Sequence, residues 1–260
     1  MPEITFQDLP RIMEENKEIR AEINMMVNQY FRTYHPKGWN RIDGARKFIE
    51  QHHYLIEAPV NDATFGGFIR TTHSNKHICY INTAQPRMYQ NFVLFHELFH
   101  LISLQQEMGR FHLVTAELDN ESNERKADYF ASLMLMDEHE LKAFFTGPEN
   151  KGETVFDKTL LCMFAFKAPY KAVLIRLFEL NLISRDYLQA FFDQNINFSR
   201  EFARIGKDQF ILETSKVRNF RCLETLMEKN PLPTSAQASN IKVLEDIREF
   251  FSVKGRSNDE

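Results

Sequence analysis

The sequence predicts an α+β fold that is mostly helical, with a small antiparallel sheet near residues 54–82 and a helical extension at the C-terminus. Two observations support this prediction. Apolar residues recur at helical spacing along most of the 260 residues. Three short runs at 54–56, 65–71 and 77–82 have the length and composition of strands. The last two runs are joined by a short polar segment, which favours an antiparallel hairpin.

Composition excludes several classes of protein. Hydrophobic residues make up 43% of the chain and charged residues 26%, which is close to the mean for globular domains and excludes a largely disordered chain. The formal net charge of −4 provides no positive field for nucleic acid or an anionic membrane, so neither is an expected partner. The three cysteines are far apart, and the charged N-terminus does not resemble a signal peptide. A cytoplasmic location is therefore expected.

The predicted helices follow one another in chain order. A long amphipathic helix begins near Asp8, and a shorter one covers 42–49. After the strands, a strongly apolar helix is expected over 92–104, followed by one over 123–136 with Ser122 as its N-cap. The later helical segments are 137–147, 155–166, 170–180, 187–192, 217–227 and 241–251. The predicted domain organisation is a core at 1–184, a helical extension at 185–230, a linker at 231–240, and a short amphipathic helix with a polar tail at 241–260.

A possible metal-binding motif lies inside the predicted apolar helix. His96-Glu97-Leu98-Phe99-His100 matches the pattern H-E-x-x-H. Residues four apart share a helix face, so both imidazoles can reach one tetrahedral metal ion, while Glu97 lies beside it as a candidate general base. Buried helices also carry histidines that are merely hydrogen-bonded, so the motif alone is a moderate signal. The ion favoured by this donor pair is Zn²⁺.

A third ligand is predicted on the next helix. Glu124 follows His100 by 24 residues and is one helical turn before Asp128. Glu124 can complete the metal site, while Asp128 can accept the outer N–H of a ligand histidine. The alternative is that both carboxylates belong to a solvated surface. Ala127 and Phe130 argue against this alternative, because they would pack the helix closely against its neighbour.

These residues together resemble the ImmA/IrrE family of metallopeptidases. The resemblance runs from Ile81-Asn82 through the histidine motif, Glu124-x-x-Ala127-Asp128 and the 133–136 run, to 175–184. It implies a minimal gluzincin-like, zincin-type core, with His96, His100 and Glu124 as zinc ligands and Glu97 as the catalytic base. It also implies a zinc endopeptidase that makes limited cuts in a protein substrate, a helix-turn-helix repressor acting in trans.

For several other features the sequence leaves more than one interpretation open. The runner-up function is a regulatory or toxin–antitoxin module that binds a partner through the same fold without proteolysis. His112, Tyr129 and Tyr170 are equal candidates for stabilising the oxyanion. His52, His53, His73 and His77 are interpreted as surface or capping residues. The apolar stripe of the last helix could dock on its own domain, dimerise or hold a partner, and intramolecular docking is slightly favoured.

Overall fold

The computed structural model describes residues 4–34, 38, 40–62, 64–72, 76–108, 120–150, 152–229 and 234–253. Within them the chain forms eleven α-helices and three strands, which confirms the predicted α+β class. The first half contains α1 (Leu9–Thr33), α2 (Arg41–His52), β1 (Tyr54–Ala58), β2 (Gly67–Thr71), β3 (His77–Asn82) and α3 (Arg87–Met108).

The second half is helical. It contains α4 (Asn120–Leu135), α5 (Glu138–Thr146), α6 (Val155–Phe166), α7 (Tyr170–Glu179), α8 (Arg185–Phe191), α9 (Phe198–Arg204), α10 (Arg221–Lys229) and α11 (Thr234–Val253). Asp137 caps α5 as predicted, because its side chain accepts hydrogen bonds from the backbone of His139 and Glu140. The prediction of Ser122 as an N-cap is wrong, since α4 already begins at Asn120.

The sheet is mixed, which corrects the prediction of an antiparallel one. Its strand order is β1-β3-β2, with β2 antiparallel to β3 and β1 parallel to β3. The chain reverses between β1 and β2 and again between β2 and β3, so β1 and β3 point the same way. Because β3 lies between the other two strands, the first and third strands pair in parallel.

Helix α3 forms the centre of the core. Its residues Leu94, Phe95, Leu98 and Leu101 have no exposed surface, which explains why the predicted apolar helix shows little amphipathic character. It packs against β2 and β3 on one side and along α4 on another, while α1 packs along α4. A helix surrounded in this way holds its side chains in fixed orientations.

The other face of the sheet is covered by the C-terminal helices. Tyr80 of β3 forms a small buried cluster with Ala58, Phe220 and Leu244, the last of these from α11. Intramolecular docking of the terminal stripe is therefore observed for Leu244, whereas Ile241 remains half exposed. The predicted linker is too long, because α11 begins at Thr234 and includes residues 235–240, whose Ser, Ala, Gln and Asn side chains tolerate a helix.

We expect α11 to contribute to stability through Leu244. Its side chain is 8% exposed, whereas that of Ile241 on the same helix is 50% exposed. Leu244→Ala should lower the free energy of unfolding by about 2 kcal/mol because it leaves a cavity against Tyr80 and Phe220. Ile241→Ala should change it by less than about 0.5 kcal/mol. Urea denaturation measures the free energy of unfolding of both variants. Equal losses in the two variants would contradict the docking of α11 through Leu244.

Residues 211–219, here called the C-terminal strap, attach the extension to the core. The backbone amides of Arg87 and Met88, at the start of α3, donate to the carbonyl oxygens of Glu213 and Ile211 at 2.9 and 3.0 Å. At its other end the strap pairs with β1 through Asn219 and Glu57. The first amides of a helix have no partner within it, so the strap supplies acceptors that α3 itself cannot.

Two histidines interpreted as surface or capping residues are in fact buried. His53 is 1% exposed and His77 is 2% exposed. Their rings stack with centroids 5.4 Å apart, and the backbone N–H of His77 donates to Nδ1 of His53 at 3.3 Å. His53 does end α2 as its C-cap. The surface interpretation fails because the pair lies where β1 and β3 begin side by side, an adjacency that strand composition does not reveal. His73 lies outside the described residues.

The burial of His53 predicts a pH-dependent stability. Burial lowers its pKa to about 4, and the nearby His77, His52 and Lys76 act in the same direction. The unfolded chain gains a proton near pH 6.5 but the folded chain resists it, so stability should fall as the pH drops from about 6.5 towards 4, by up to about 3 kcal/mol. His53→Gln keeps a hydrogen-bond acceptor but cannot be protonated, so this variant should lose less stability between about pH 6.5 and pH 4. Denaturation at pH 7 and pH 5 tests this, with His139→Gln as control, and an unchanged pH dependence in His53→Gln would refute it.

Candidate metal centre

Three predicted ligands from two helices lie together. His96 and His100 are one turn apart on α3, and Glu124 is in the first turns of α4, which packs along it. The Nε2 atoms of the histidines are 3.3 Å apart. Oxygens of Glu124 lie 3.1 Å from Nε2 of His96 and 3.4 Å from Nε2 of His100. Among the described residues this is the one cluster of three or more potential ligands.

The spacing of these donors fits a tetrahedral ion. Donors bound to zinc at about 2.0–2.1 Å in a tetrahedron stand about 3.3–3.4 Å apart. The two Nε2 atoms are 3.3 Å apart, and one or other oxygen of Glu124 lies 3.1 Å from His96 Nε2 (Oε2) and 3.4 Å from His100 Nε2 (Oε1), which is close to this edge length. The donor set of two imidazoles and one carboxylate is one that zinc accepts, and it leaves a fourth position for a water molecule or substrate.

The hydrogen bonding of His96 also fits a cation. Its Nδ1 is 2.9 Å from Oδ1 of Asp128. A carboxylate only accepts hydrogen bonds, so Nδ1 carries a proton, and in the neutral ring Nε2 directs a lone pair towards an oxygen of Glu124. Two acceptors that face each other need a positive charge between them. The site therefore suits a metal ion on electrostatic grounds as well as by its geometry.

The pKa shifts of His96 and Glu124 also indicate that the site needs a positive charge. Burial lowers the pKa of His96, but the hydrogen bonds to Asp128 and Glu124 outweigh it and raise the pKa to about 10. Hydrogen bonds from His100 and His96 hold the pKa of Glu124 well below its usual range. A proton on His96 can thus take the place of a cation that would otherwise neutralise Glu124.

Asp128 occupies the position predicted for it. Its Oδ1 faces His96, and its Oδ2 lies 3.8 Å from Nη1 of Arg125. The carboxylate can therefore orient the imidazole and fix its tautomer. The contact is the one that the i, i+4 relation to Glu124 predicts, and the role of Asp128 in metal binding stays a prediction.

Replacing Asp128 with Asn should weaken metal binding without abolishing it. The amide preserves shape but loses the charge that orients His96, and removal of such a partner typically costs about 10- to 100-fold in metal affinity or activity. Competition with a chromophoric chelator measures the affinity. Asp186→Asn, at an exposed position, is the matched control. If Asp128→Asn and the control bind zinc equally well, Asp128 does not support the site.

Glu97 lies beside the cluster and beneath strand β2. It is 6% exposed, and burial raises its pKa to about 6 despite the nearby histidines. Its Oε1 is 3.3 Å from the position that a Cβ on Gly67 would occupy. A carboxylate with a pKa near neutrality can accept a proton from a water molecule and pass it on.

The glycine pair at the start of β2, Gly66 and Gly67, is a feature of the site that the sequence did not predict. A Cβ on Gly67 would lie 2.5 Å from the carbonyl oxygen of Tyr80 and 2.8 Å from Val93, and one on Gly66 would lie 2.7 Å from Val93. Only glycine lets β2 approach α3 this closely. Two glycines at the start of a strand pattern are the signal that could have revealed the close approach.

Asn82 holds the loop that leads to these glycines. Its buried amide donates to the carbonyl oxygens of Val60, Asp62 and Phe65, and its oxygen accepts from the backbone of Val60 and Ala84. Its own backbone N–H donates to the carbonyl oxygen of Gly66 at 2.7 Å. One side chain thus fixes the segment that brings β2 next to Glu97.

The two tyrosines proposed for the oxyanion have partners outside the metal cluster. Tyr129 is buried with Arg176 and Glu179 as its charged neighbours. The hydroxyl of Tyr170 donates to the carbonyl oxygen of Phe191 at 3.3 Å. Only their residue type favours them as oxyanion donors, and their positions around α4 and α7 direct both side chains to other partners. His112 lies outside the described residues.

The fold and the site together define a metallopeptidase-like domain, in which an H-E-x-x-H helix and a glutamate from the following helix converge beside a small sheet. Residues 50–178 match the profile of the peptidase M78 family, described as the IrrE N-terminal-like domain. The chain therefore carries a domain of the ImmA/IrrE family, as the sequence resemblance implied. No curated protein and no solved structure gives a significant match.

Proposed function

We propose that this protein is a zinc-dependent endopeptidase that makes limited cuts in a regulatory protein, a helix-turn-helix repressor supplied in trans. The observation that carries the proposal is the convergence of His96, His100 and Glu124 with Glu97 beside them. A protein that only bound a partner through this fold would have no use for a buried carboxylate next to the metal ligands.

Each residue of the site would have a separate role in peptide hydrolysis. His96, His100 and Glu124 would hold zinc, which when bound supplies Lewis-acid activation of water and of the substrate carbonyl. Glu97 would accept a proton from the attacking water and deliver it to the leaving nitrogen. Asp128 would keep the His96 ring oriented and its Nδ1 protonated.

Strand β2 offers a place for the substrate chain. It lies at the edge of the sheet, and among the described residues no other strand pairs with its outer side. The first residue of β2, Gly67, is adjacent to Glu97. An extended peptide can add to such an edge through backbone hydrogen bonds, which would bring its carbonyl groups past the catalytic carboxylate.

Three properties of the chain support the proposed location and the proposed type of partner. Cys79, Cys162 and Cys222 are free thiols, which fits the proposed cytoplasmic location. No helix in the described part of the chain is long and apolar enough to cross a membrane. The net charge of −4 supports a protein partner over direct binding to nucleic acid.

The test is incubation of the zinc-loaded protein with a helix-turn-helix repressor, the first candidate being any such repressor encoded by an adjacent gene, followed by mass spectrometry of the products. One or a few defined cuts are expected. Stable association without any cut would favour the alternative, a regulatory or toxin–antitoxin module that binds its partner without proteolysis. Glu97→Gln, considered in the Discussion, separates catalysis from binding.

A further inference from the structure

A cavity of about 570 Å³ lies where the C-terminal strap, α10 and α11 meet β1. None of its lining residues belongs to the metal cluster. Its volume is within the range of cavities that hold small organic ligands. Phe220, which is 5% exposed, and Val217 give it an apolar part.

The polar part of this cavity carries more positive than negative charge. Three arginines line it from three different segments: Arg218 from the strap, Arg221 from α10 and Arg248 from α11. The lining carboxylates are those of Glu57 and Glu224. This local excess of guanidinium groups occurs in a protein whose formal net charge is −4.

Both carboxylates are already engaged. Oε1 of Glu57 accepts from Nε of Arg46 at 3.0 Å, and Oε2 accepts from Nδ2 of Asn219 at 3.2 Å. Glu57 is 5% exposed, so these bonds satisfy it in a buried position. Glu224 is bonded to Arg248. The cavity lining thus presents three guanidinium groups beside two carboxylates that already have partners.

We propose that this cavity binds a small anion that carries a phosphate group. Guanidinium groups form paired, charge-assisted hydrogen bonds with phosphate oxygens. Phe220 and Val217 can contact an organic portion of the same ligand. Sulfate-sized ions alone would leave most of the volume unfilled, so the phosphate ester of a small metabolite fits better than the free ion.

Binding would tie α11 to the rest of the protein. The three arginines belong to the strap, α10 and α11, so one phosphate group would connect all three segments. Helix α11 buries Leu244 but leaves Ile241, Val243 and Phe250 about half exposed. A ligand that binds only the docked arrangement of α11 stabilises that arrangement by mass action.

The binding test uses the full zinc-loaded chain and two probes, inorganic phosphate and adenosine monophosphate, titrated by calorimetry. We expect saturable binding that weakens about tenfold or more in Arg221→Gln, since a hydrogen bond between charged groups is lost. Arg200→Gln, at an exposed position on α9, should bind as the unaltered protein does. This pair also distinguishes the cavity from phosphate held at the metal.

Hydrogen exchange provides a second measurement. Bound ligand should slow exchange of the backbone amides in 234–253 of the unaltered protein but not of Arg221→Gln. Tighter binding of adenosine monophosphate would identify an organic phosphate as the ligand, and equal binding would identify the free ion. The proposal is overturned if neither probe saturates at about 10 mM, or if Arg221→Gln binds as well as Arg200→Gln. None of these measurements depends on peptidase activity.

Discussion

Replacing His96, His100 or Glu124 with Ala is expected to abolish stoichiometric zinc binding, whereas the unaltered protein should hold about one ion per chain. Each of the three donors stands within 3.4 Å of another. Loss of any one leaves two, too few for a catalytic zinc site. The loss of affinity should exceed the roughly 100-fold upper range expected when only a supporting carboxylate is removed.

Elemental analysis of the purified variants measures the zinc, and competition with a chelator measures its affinity. His139→Ala, at an exposed position on α5, controls for the general loss of a histidine. Far-ultraviolet circular dichroism shows whether each variant remains folded. Undiminished zinc in all three ligand variants would refute the assignment of the site.

Replacing Glu97 with Gln should reduce proteolysis by about 10²- to 10⁴-fold while leaving the zinc content unchanged. Glutamine has the shape of glutamate but cannot take a proton from water. The side chain is 6% exposed and lies beneath Gly67, so solvent could not easily supply a substitute base. The rate of repressor cleavage, with zinc content measured in parallel, is the readout.

Glu153→Gln changes an exposed glutamate and should cleave normally. Glu97→Gln should still bind the repressor, which a pull-down can show. Cleavage by Glu97→Gln at the rate of the unaltered protein would mean that another group is the base. Retained binding with lost cleavage would show that catalysis and recognition are separable.

The parts of the site that the sequence predicted depend on local helix geometry. The pairs His96–His100 and Glu124–Asp128 are each one turn apart, and an α-helix fixes that relation whatever surrounds it. That the two helices meet had to be inferred from ligand chemistry, because zinc needs a third donor. The distance of 2.9 Å between Nδ1 of His96 and Oδ1 of Asp128 depends on this meeting of α3 and α4 as well as on the spacing within α4.

The features that the sequence did not predict depend on contacts between distant segments. The parallel pairing of β1 with β3 follows from the position of β3 between its neighbours. The burial of His53 against His77 follows from that same pairing. Tyr129 was considered for catalysis because of its residue type, but its contacts are determined by the packing of α4 against other helices. No local periodicity carries such information.

The C-terminal strap has a consequence for folding during synthesis. The hydroxyl of Thr83 donates to the carbonyl oxygen of Val217, 134 residues later, and Ser215 donates to Gln90 across 125 residues. A ribosome delivers the N-terminal residues first, so the start of α3 lacks these partners until most of the chain has emerged. Contacts between such distant residues form slowly. A nascent chain arrested before residue 211 should therefore expose α3 to proteases and chaperones.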